Sequence, residues 1–209
     1  MKKLLTILCI CFALLPDSSA QTLPADTVIH PASLTIAYTL YISGEKKEGL
    51  AESYNGAMKT LFLTQRKARS RMVALMRMQS LFYNAQSAKP YQMVKESGSK
   101  RWAQNMDEAG WQKLNKQYQG VQYQFTSDSV LINGFTCQKV IVSLNDGKQI
   151  TAYYTKQMSH PLFAKLEPAF AGLQGVVLNY SYQNEDALFE FKLSQLSQQP
   201  IAADIFQKL

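Results

Sequence analysis

From Leu34 to Ile42 the apolar residues fall on every second position. Leu34, Ile36, Tyr38, Leu40 and Ile42 are separated by Thr35, Ala37, Thr39 and Tyr41. A helix repeats its apolar face every 3.6 residues or so, whereas a period of two lines one face of a half-buried strand. The period returns at Val121, Tyr123 and Phe125, and again at Val176, Leu178, Tyr180 and Tyr182. Between these runs, Gly56 to Thr64, Leu81 to Asn84, Tyr91 to Lys95 and Lys100 to Asn105 are short, rich in β-branched, aromatic or Met residues, and bounded by polar or Gly- and Pro-bearing stretches. Ser43 to Tyr54, with Gly44 and Gly49, reads as a loop. Roughly ten short strands with few helices and no dividing linker predict a mainly β (α+β) chain. Its expected form is a single strongly curved antiparallel sheet with one or two short helices.

Two hairpins can be registered by matching faces. Thr136 to Leu144 carries Val140, Val142 and Leu144 on one face, and Gln149 to Thr155 carries Ile150, Ala152 and Tyr154. A two-residue turn would set these faces against polar ones. A three-residue Asn145-Asp146-Gly147 loop pairs Val142 with Ile150 and Val140 with Ala152, with Gly147 at positive φ. Cys137 then falls on the more polar face with Lys139 and Ser143. A second hairpin through Asn184-Glu185-Asp186 is expected to pair Tyr180 with Phe189 and Leu178 with Phe191.

Helical signals are few. Asp107 can cap a short amphipathic helix bearing Trp111, Leu114 and Tyr118. Pro161 suits the start of a helical turn containing Leu162, Phe163 and Leu166, which Pro168 would end. Ser70 to Arg77 reads as a strand with Met72, Ala74, Met76 and Met78 on one face and Val73 and Leu75 on the other. A short helix from Lys67 to Met78 is the alternative. The tail from Pro200 is expected to pack Ile205 and Phe206 onto the sheet.

Lys2 and Lys3, an apolar run from Leu4 to Leu15, and Ser18-Ser19-Ala20 form a secretory signal, with cleavage expected after Ala20. Residues 1–20 are thus read as a signal peptide, 21–32 as an extended lead-in carrying Pro24 and Pro31, and 33–209 as one antiparallel β domain. The apolar run is shorter than the ~20 residues of a spanning helix. Cys9 and Cys11 lie inside it rather than at its end, which argues against a lipid-bearing N-terminal cysteine. The expected location is the periplasm or outer envelope. The formal net charge of +7 includes Lys2, Lys3 and Asp17, so export lowers it by one. Lys and Arg are scattered apart from Arg66-Lys67-Ala68-Arg69-Ser70-Arg71, a pattern of solubility rather than of a nucleic-acid partner. Cys137 would be the one mature cysteine, leaving stability to a packed core.

Several motifs follow one another in an order that resembles the exported GLPGLI-type proteins and related domains of unknown function. They are Asn133-Gly134-Phe135-Thr136-Cys137-Gln138-Lys139-Val140, Asp146-Gly147-Lys148, Ala152-Tyr153-Tyr154-Thr155, and Phe170 to Leu178. Gln174 stands where the signature has proline and Val176 where it has leucine. The resemblance implies an envelope protein with an open half-barrel similar to the carriers LolA and LolB, and it carries over no catalytic residue.

Catalytic chemistry finds little support. Mature histidines are His30 and His160, and Cys137 with His160 is the one candidate thiol dyad. A lone strand cysteine is usually a small packed residue, because thiolate activation needs an electropositive pocket. One Cys and two distant His do not make a zinc spacing. Asp107-Glu108 and Glu185-Asp186 fit a helix cap and a hairpin turn. Gly172-x-x-Gly175 lacks the strand–turn–helix setting of a phosphate loop and reads as a turn, so neither a metal nor a cofactor is expected.

Two candidate binding sets remain. Met72, Met76 and Met78 with Trp102 and Trp111 are either core or the lining of a groove for a lipid or a lipidated partner. Arg66, Lys67, Arg69 and Arg71 are either a solvated hairpin tip or a contact for anionic head groups at a membrane surface.

Overall fold

The computed structural model describes residues 28–44, 53–184 and 186–207. The expected signal peptide, the lead-in up to residue 27, the loop at 45–52, Glu185 at the hairpin tip and residues 208–209 lie outside the described residues. The strands are β1 (Ser33–Gly44), β2 (Met58–Thr64), β3 (Lys67–Ala74), β4 (Arg77–Asn84), β5 (Tyr91–Ser97), β6 (Lys100–Met106), β7 (Gln122–Ile132), β8 (Phe135–Ser143), β9 (Gln149–Thr155), β10 (Val176–Asn184) and β11 (Ala187–Ser197). They form one 11-stranded antiparallel sheet in the order β6-β5-β4-β3-β2-β1-β11-β10-β9-β8-β7.

This order is two meanders joined where β1 pairs with β11. Its consequence is that β6 and β7, consecutive in the chain, lie on opposite edges. The connection between them must therefore cross a face of the sheet, and it does so with helix α1 (Glu108–Leu114) and a 3-10 turn at Lys116–Tyr118. Asp107 caps α1 by accepting the Gly110 amide at 2.7 Å. The β9–β10 connection adds helix α2 (Phe163–Leu166) and a 3-10 turn at Pro168–Phe170. Open sheets of more than about ten strands curl, and this one bends around the two connections. Lys165 of α2 reaches Glu108 of α1 at 3.0 Å and lies over the ring of Tyr83 on β4 at 5.7 Å. On a flat sheet β4 and β10 would be about 24 Å apart, at ~4.8 Å per strand.

Inward side chains alternate as the sequence predicts. Leu34, Ile36, Tyr38, Leu40, Leu61 and Leu63 are fully buried on the concave face. Val142 pairs with Ile150 and Val140 with Ala152 around Asn145-Asp146-Gly147, with Gly147 at φ +82°. Ile205 and Phe206 lie in a 3-10 turn, Ala203–Phe206, against β3.

The structure corrects four expectations. The basic run is not a hairpin tip: β2 and β3 turn at Gln65-Arg66, so Lys67, Arg69 and Arg71 alternate along β3 with Ala68 and Ser70 between them. Nor do the methionines share a face. β3 ends at Ala74, Leu75 and Met76 form the turn, and Met78 pairs with Val73, opposite in face to Met72. Tyr180 pairs with Phe191 and Tyr182 with Phe189, in the register that sets Asn184 opposite Ala187. That shift of two leaves every side chain on its expected face, so alternation could not detect it. Lastly, Cys137 is fully buried rather than on a polar face. The lead-in also engages the domain, since Ile29 bridges in parallel to Met158.

Candidate functional site

The site grows from an inward lysine. The register of β2 opposes Lys59 to Tyr38 on one side and Met72 on the other, so it points into the concave face with Leu61 and Leu63. An ammonium half-buried among apolar side chains is costly unless paired and hydrogen-bonded. Here Lys59 Nζ lies 2.6 Å from Glu167 Oε1, donates to the Tyr180 hydroxyl at 2.9 Å, and sits over the rings of Tyr180 and Phe191 at 5.3 and 5.5 Å. Glu167 is buried between α2 and Pro168. Burial, reinforced by the Glu167 charge, holds the Tyr38 and Tyr180 phenols well above their usual pKa, so both stay protonated. Tyr38 donates to the Val177 carbonyl at 2.7 Å.

The ion pair stands between two cavities. The first, of about 360 Å³, is lined by Met72, Leu81, Met93, Trp111 and Leu166. The second, of about 440 Å³, is lined by Ile150, Phe170, Tyr180 and Tyr182 and rimmed by Gln117, Asp146, Lys148 and Gln149. Lys59, Tyr118, Glu167, Ala169 and Phe191 border both. Trp111 is fixed by stacking on Tyr91, ring centroids 4.7 Å apart and planes at 16°. Two glycines let the roof approach closely. A Cβ on Gly172 would meet the Tyr123 ring at 2.5 Å, and one on Gly175 would meet the Thr155 carbonyl oxygen at 2.0 Å.

Of the residues expected to line a groove, Met72 and Trp111 come together in the first cavity. Trp102 and Met78 line a separate cavity of about 430 Å³ at one end of the sheet. Met76 is exposed in the β3–β4 turn. The basic set does not converge on the groove, because Lys67, Arg69 and Arg71 alternate onto the convex face. Arg69 is buried there, donating to the Ile205 carbonyl at 2.8 Å and to Ser80 Oγ at 2.9 Å, with Phe82 stacked at 4.6 Å. Arg71 Nε donates to Met78 Sδ at 3.2 Å. Arg66 and Lys67 are exposed.

Sequence reasoning missed Lys59, Glu167, Leu81, Met93 and Tyr118. A signal existed for the first: Lys59 occupies the same parity as Leu61 and Leu63, an inward position for a charge.

Burial pushes the Cys137 thiol up to about 12, so it carries no thiolate at neutral pH. Among the described residues no group of three His, Cys, Asp and Glu side chains comes together. His160 is buried, its Nδ1 accepts the Leu162 amide at 3.2 Å, and burial lowers its pKa to about 4. The unfolded imidazole, at about 6.5, binds a proton that the folded one refuses. Stability from this group is therefore complete above about pH 6.5 and lost as pH falls toward about 4, by on the order of 3 kcal/mol. His160→Asn keeps an acceptor for the Leu162 amide and is expected to remove that part of the acid sensitivity. Urea unfolding of both proteins near neutrality and near pH 4 measures it, and an equal acid loss in the two would refute the assignment.

Fold and groove together define an open antiparallel half-barrel with a roofed concave face. No family model matches the chain, and no curated protein does. Among solved structures it is similar to PNGF-II at 17% identity and a TM-score of 0.47, over 83% of this chain. It spans 29% of the length of that PNGF-II chain. It is also similar to a DUF1329 family protein from Desulfovibrio piger, at 7% identity and a TM-score of 0.38 over 85% of this chain and 90% of that one. A third is the lipoprotein LppX of Mycobacterium tuberculosis, at 11% identity and a TM-score of 0.32 over 83% and 90%.

Proposed function

We propose that this chain is an exported, non-catalytic binding protein that holds a hydrophobic or lipidic ligand, or the acyl chain of a lipidated partner, on its concave face. The observation that carries this reading is the two-lobed groove beneath α1 and α2, where Met, Leu and aromatic side chains form apolar walls interrupted by Lys, Glu, Gln and Asn side chains. Clefts of ~300–1,000 Å³ with apolar walls and few polar groups suit small amphiphiles. The basic start and Ala20 cleavage signal support export, as does the resemblance to GLPGLI-type envelope proteins. Among the described residues no helix is long and apolar enough to cross a membrane. Within the basic run, any contact with an anionic surface would fall to Arg66 and Lys67, since Arg69 holds the tail and Arg71 leans on Met78.

A second reading rests on the two open edges. β7 pairs with β8 on one side only and exposes Phe125, Val130 and Leu131 on this edge strand, a template for strand addition by an envelope partner. One experiment separates the two. Protein purified from envelopes without detergent exchange is extracted under denaturing conditions, and the extract is read by lipid mass spectrometry. Near-stoichiometric lipid is expected. A stoichiometric protein partner with no lipid, together with no uptake from liposomes, would move the assignment to edge pairing.

A further inference from the structure

We propose that the ligand's head group is anionic, a phosphate or carboxylate, and that it binds at the end of the concave face on Arg77, Lys95 and Lys100; this rests on the groove-binding reading above. Strand register brings the three together. Arg77 pairs with Ser97 and Gln79 with Lys95 across β4 and β5, and Lys95 pairs with Trp102 and Ser97 with Lys100 across β5 and β6. Paired residues share a face, and alternation puts this set on the same face as Leu81 and Met93. The β3–β4 and β5–β6 turns thus lie side by side and border the open hollow of about 430 Å³ that Trp102 lines.

Its charge is unbalanced. Among the described residues Glu96 is the one carboxylate in the lining, it belongs to the opposite face, and it pairs with Arg101 at 3.5 Å. Arg77, Lys95 and Lys100 make no salt bridge among the described residues. Lys95 Nζ lies over the Trp102 ring at 5.5 Å, which holds it at the mouth of the cavity. Three like charges around one hollow favour an anion between them. The far lobe offers no such excess, because Lys59 is paired with Glu167 and Lys148 with Asp146 at 3.7 Å.

The cationic cavity also adjoins the groove. Gln79 and Lys95 line both it and the apolar cavity of Met72, Leu81, Met93 and Trp111. An anion held at Lys95 has an apolar path beginning beside it and running toward Lys59. The occupant is therefore an amphiphile, head at the β4–β6 turns and chain directed inward, and neither a free anion nor an uncharged lipid.

The test uses the full exported chain, delipidated, titrated calorimetrically with dodecyl phosphate, dodecanol and inorganic phosphate below the micellar range. Dodecyl phosphate is expected to bind at least about tenfold tighter than dodecanol, with inorganic phosphate weaker than both. The variant Arg77→Gln/Lys95→Gln/Lys100→Gln should lose about tenfold or more for dodecyl phosphate and nothing for dodecanol. All three residues are exposed, so the fold should persist; if the triple variant does not fold, the three single variants are read instead. Lys192→Gln, exposed on the convex face and outside the cavity linings, should leave both affinities unchanged. Equal affinities for dodecyl phosphate and dodecanol, or an unaffected triple variant, would overturn the head-group assignment while leaving the groove intact. Inorganic phosphate binding as tightly as dodecyl phosphate would overturn the amphiphile. Binding of neither long-chain compound would instead remove the groove-binding reading itself.

Discussion

Lys59→Met is expected to lower the free energy of unfolding by about 3 kcal/mol, the lower end of the cost of leaving one member of a buried ion pair alone, because the Lys59 side chain keeps some contact with solvent. That is a large share of the ~5–15 kcal/mol by which a domain is normally stable. The substitution keeps the length and apolar stem of the side chain, so packing against Tyr180 and Phe191 changes little. What it removes is the ammonium 2.6 Å from Glu167 and the hydrogen bond to the Tyr180 hydroxyl. Glu167 would then be a carboxylate buried among aromatic rings with no counter-charge. Lys59→Met/Glu167→Leu is expected to recover most of the loss, because a well-packed apolar pair is often as stable as the ion pair it replaces. Urea unfolding of the three proteins measures both effects. A single-variant loss below about 1 kcal/mol, the range of solvated surface pairs, would show that Glu167 reaches water once Lys59 is gone.

Gly175→Ala should be at least as damaging, for a steric reason. The added Cβ would lie 2.0 Å from the Thr155 carbonyl oxygen and 2.9 Å from its carbon. These are backbone atoms of β9, paired with β10 through Thr155 and Val176, and cannot yield without disturbing that ladder. A loss of at least about 3 kcal/mol is expected. Gly172→Ala meets the Tyr123 ring, a side chain that could turn away, although its hydroxyl donates to the Ala169 carbonyl and accepts the Gly172 amide, both at 3.0 Å. Gly147→Ala meets nothing within 4 Å and bears only its φ of +82°, about 1–2 kcal/mol. Thermal unfolding should rank the losses Gly175, Gly172, Gly147. The reverse ranking would mean that the left-handed turn, rather than the roof's close approach, is the tighter constraint.

Those glycines show what kind of information a sequence carries. Gly172-x-x-Gly175 reads as a turn, and a turn is there, yet the glycines are required by atoms of Tyr123 and Thr155. Turn chemistry itself is local and legible: Asn145-Asp146-Gly147 gave the β8–β9 register because only one loop length matched both faces. The same logic applied to Asn133-Gly134 would have found the β7–β8 hairpin, where both residues take positive φ, the signature of a tight two-residue turn. Without it the alternation ends at Phe125, whereas β7 continues to Ile132 past an irregularity before Ser129. The basic run concealed a strand because its charges drew attention from its period, although Ala68, Ser70 and Met72 lie inward between Lys67, Arg69 and Arg71.

The candidate site was less legible than the strands. Met72 and Trp111 could be named as groove residues from their types. The pairing of Lys59 with Glu167, and the clustering of Arg77, Lys95 and Lys100, could not, because each depends on which strands and connections become neighbours. By itself the sequence determined the class of the fold, most strand positions, the helix cap at Asp107 and one hairpin register, all of them set by interactions within a few residues. Only the tertiary structure decided that β6 and β7 end on opposite edges, that the chain between them must therefore roof one face, and that Lys59 meets Glu167 beneath it. The physical reason is range. Alternation and turn geometry act between neighbours along the chain, whereas a groove and a buried ion pair exist only once residues distant in sequence share the same space.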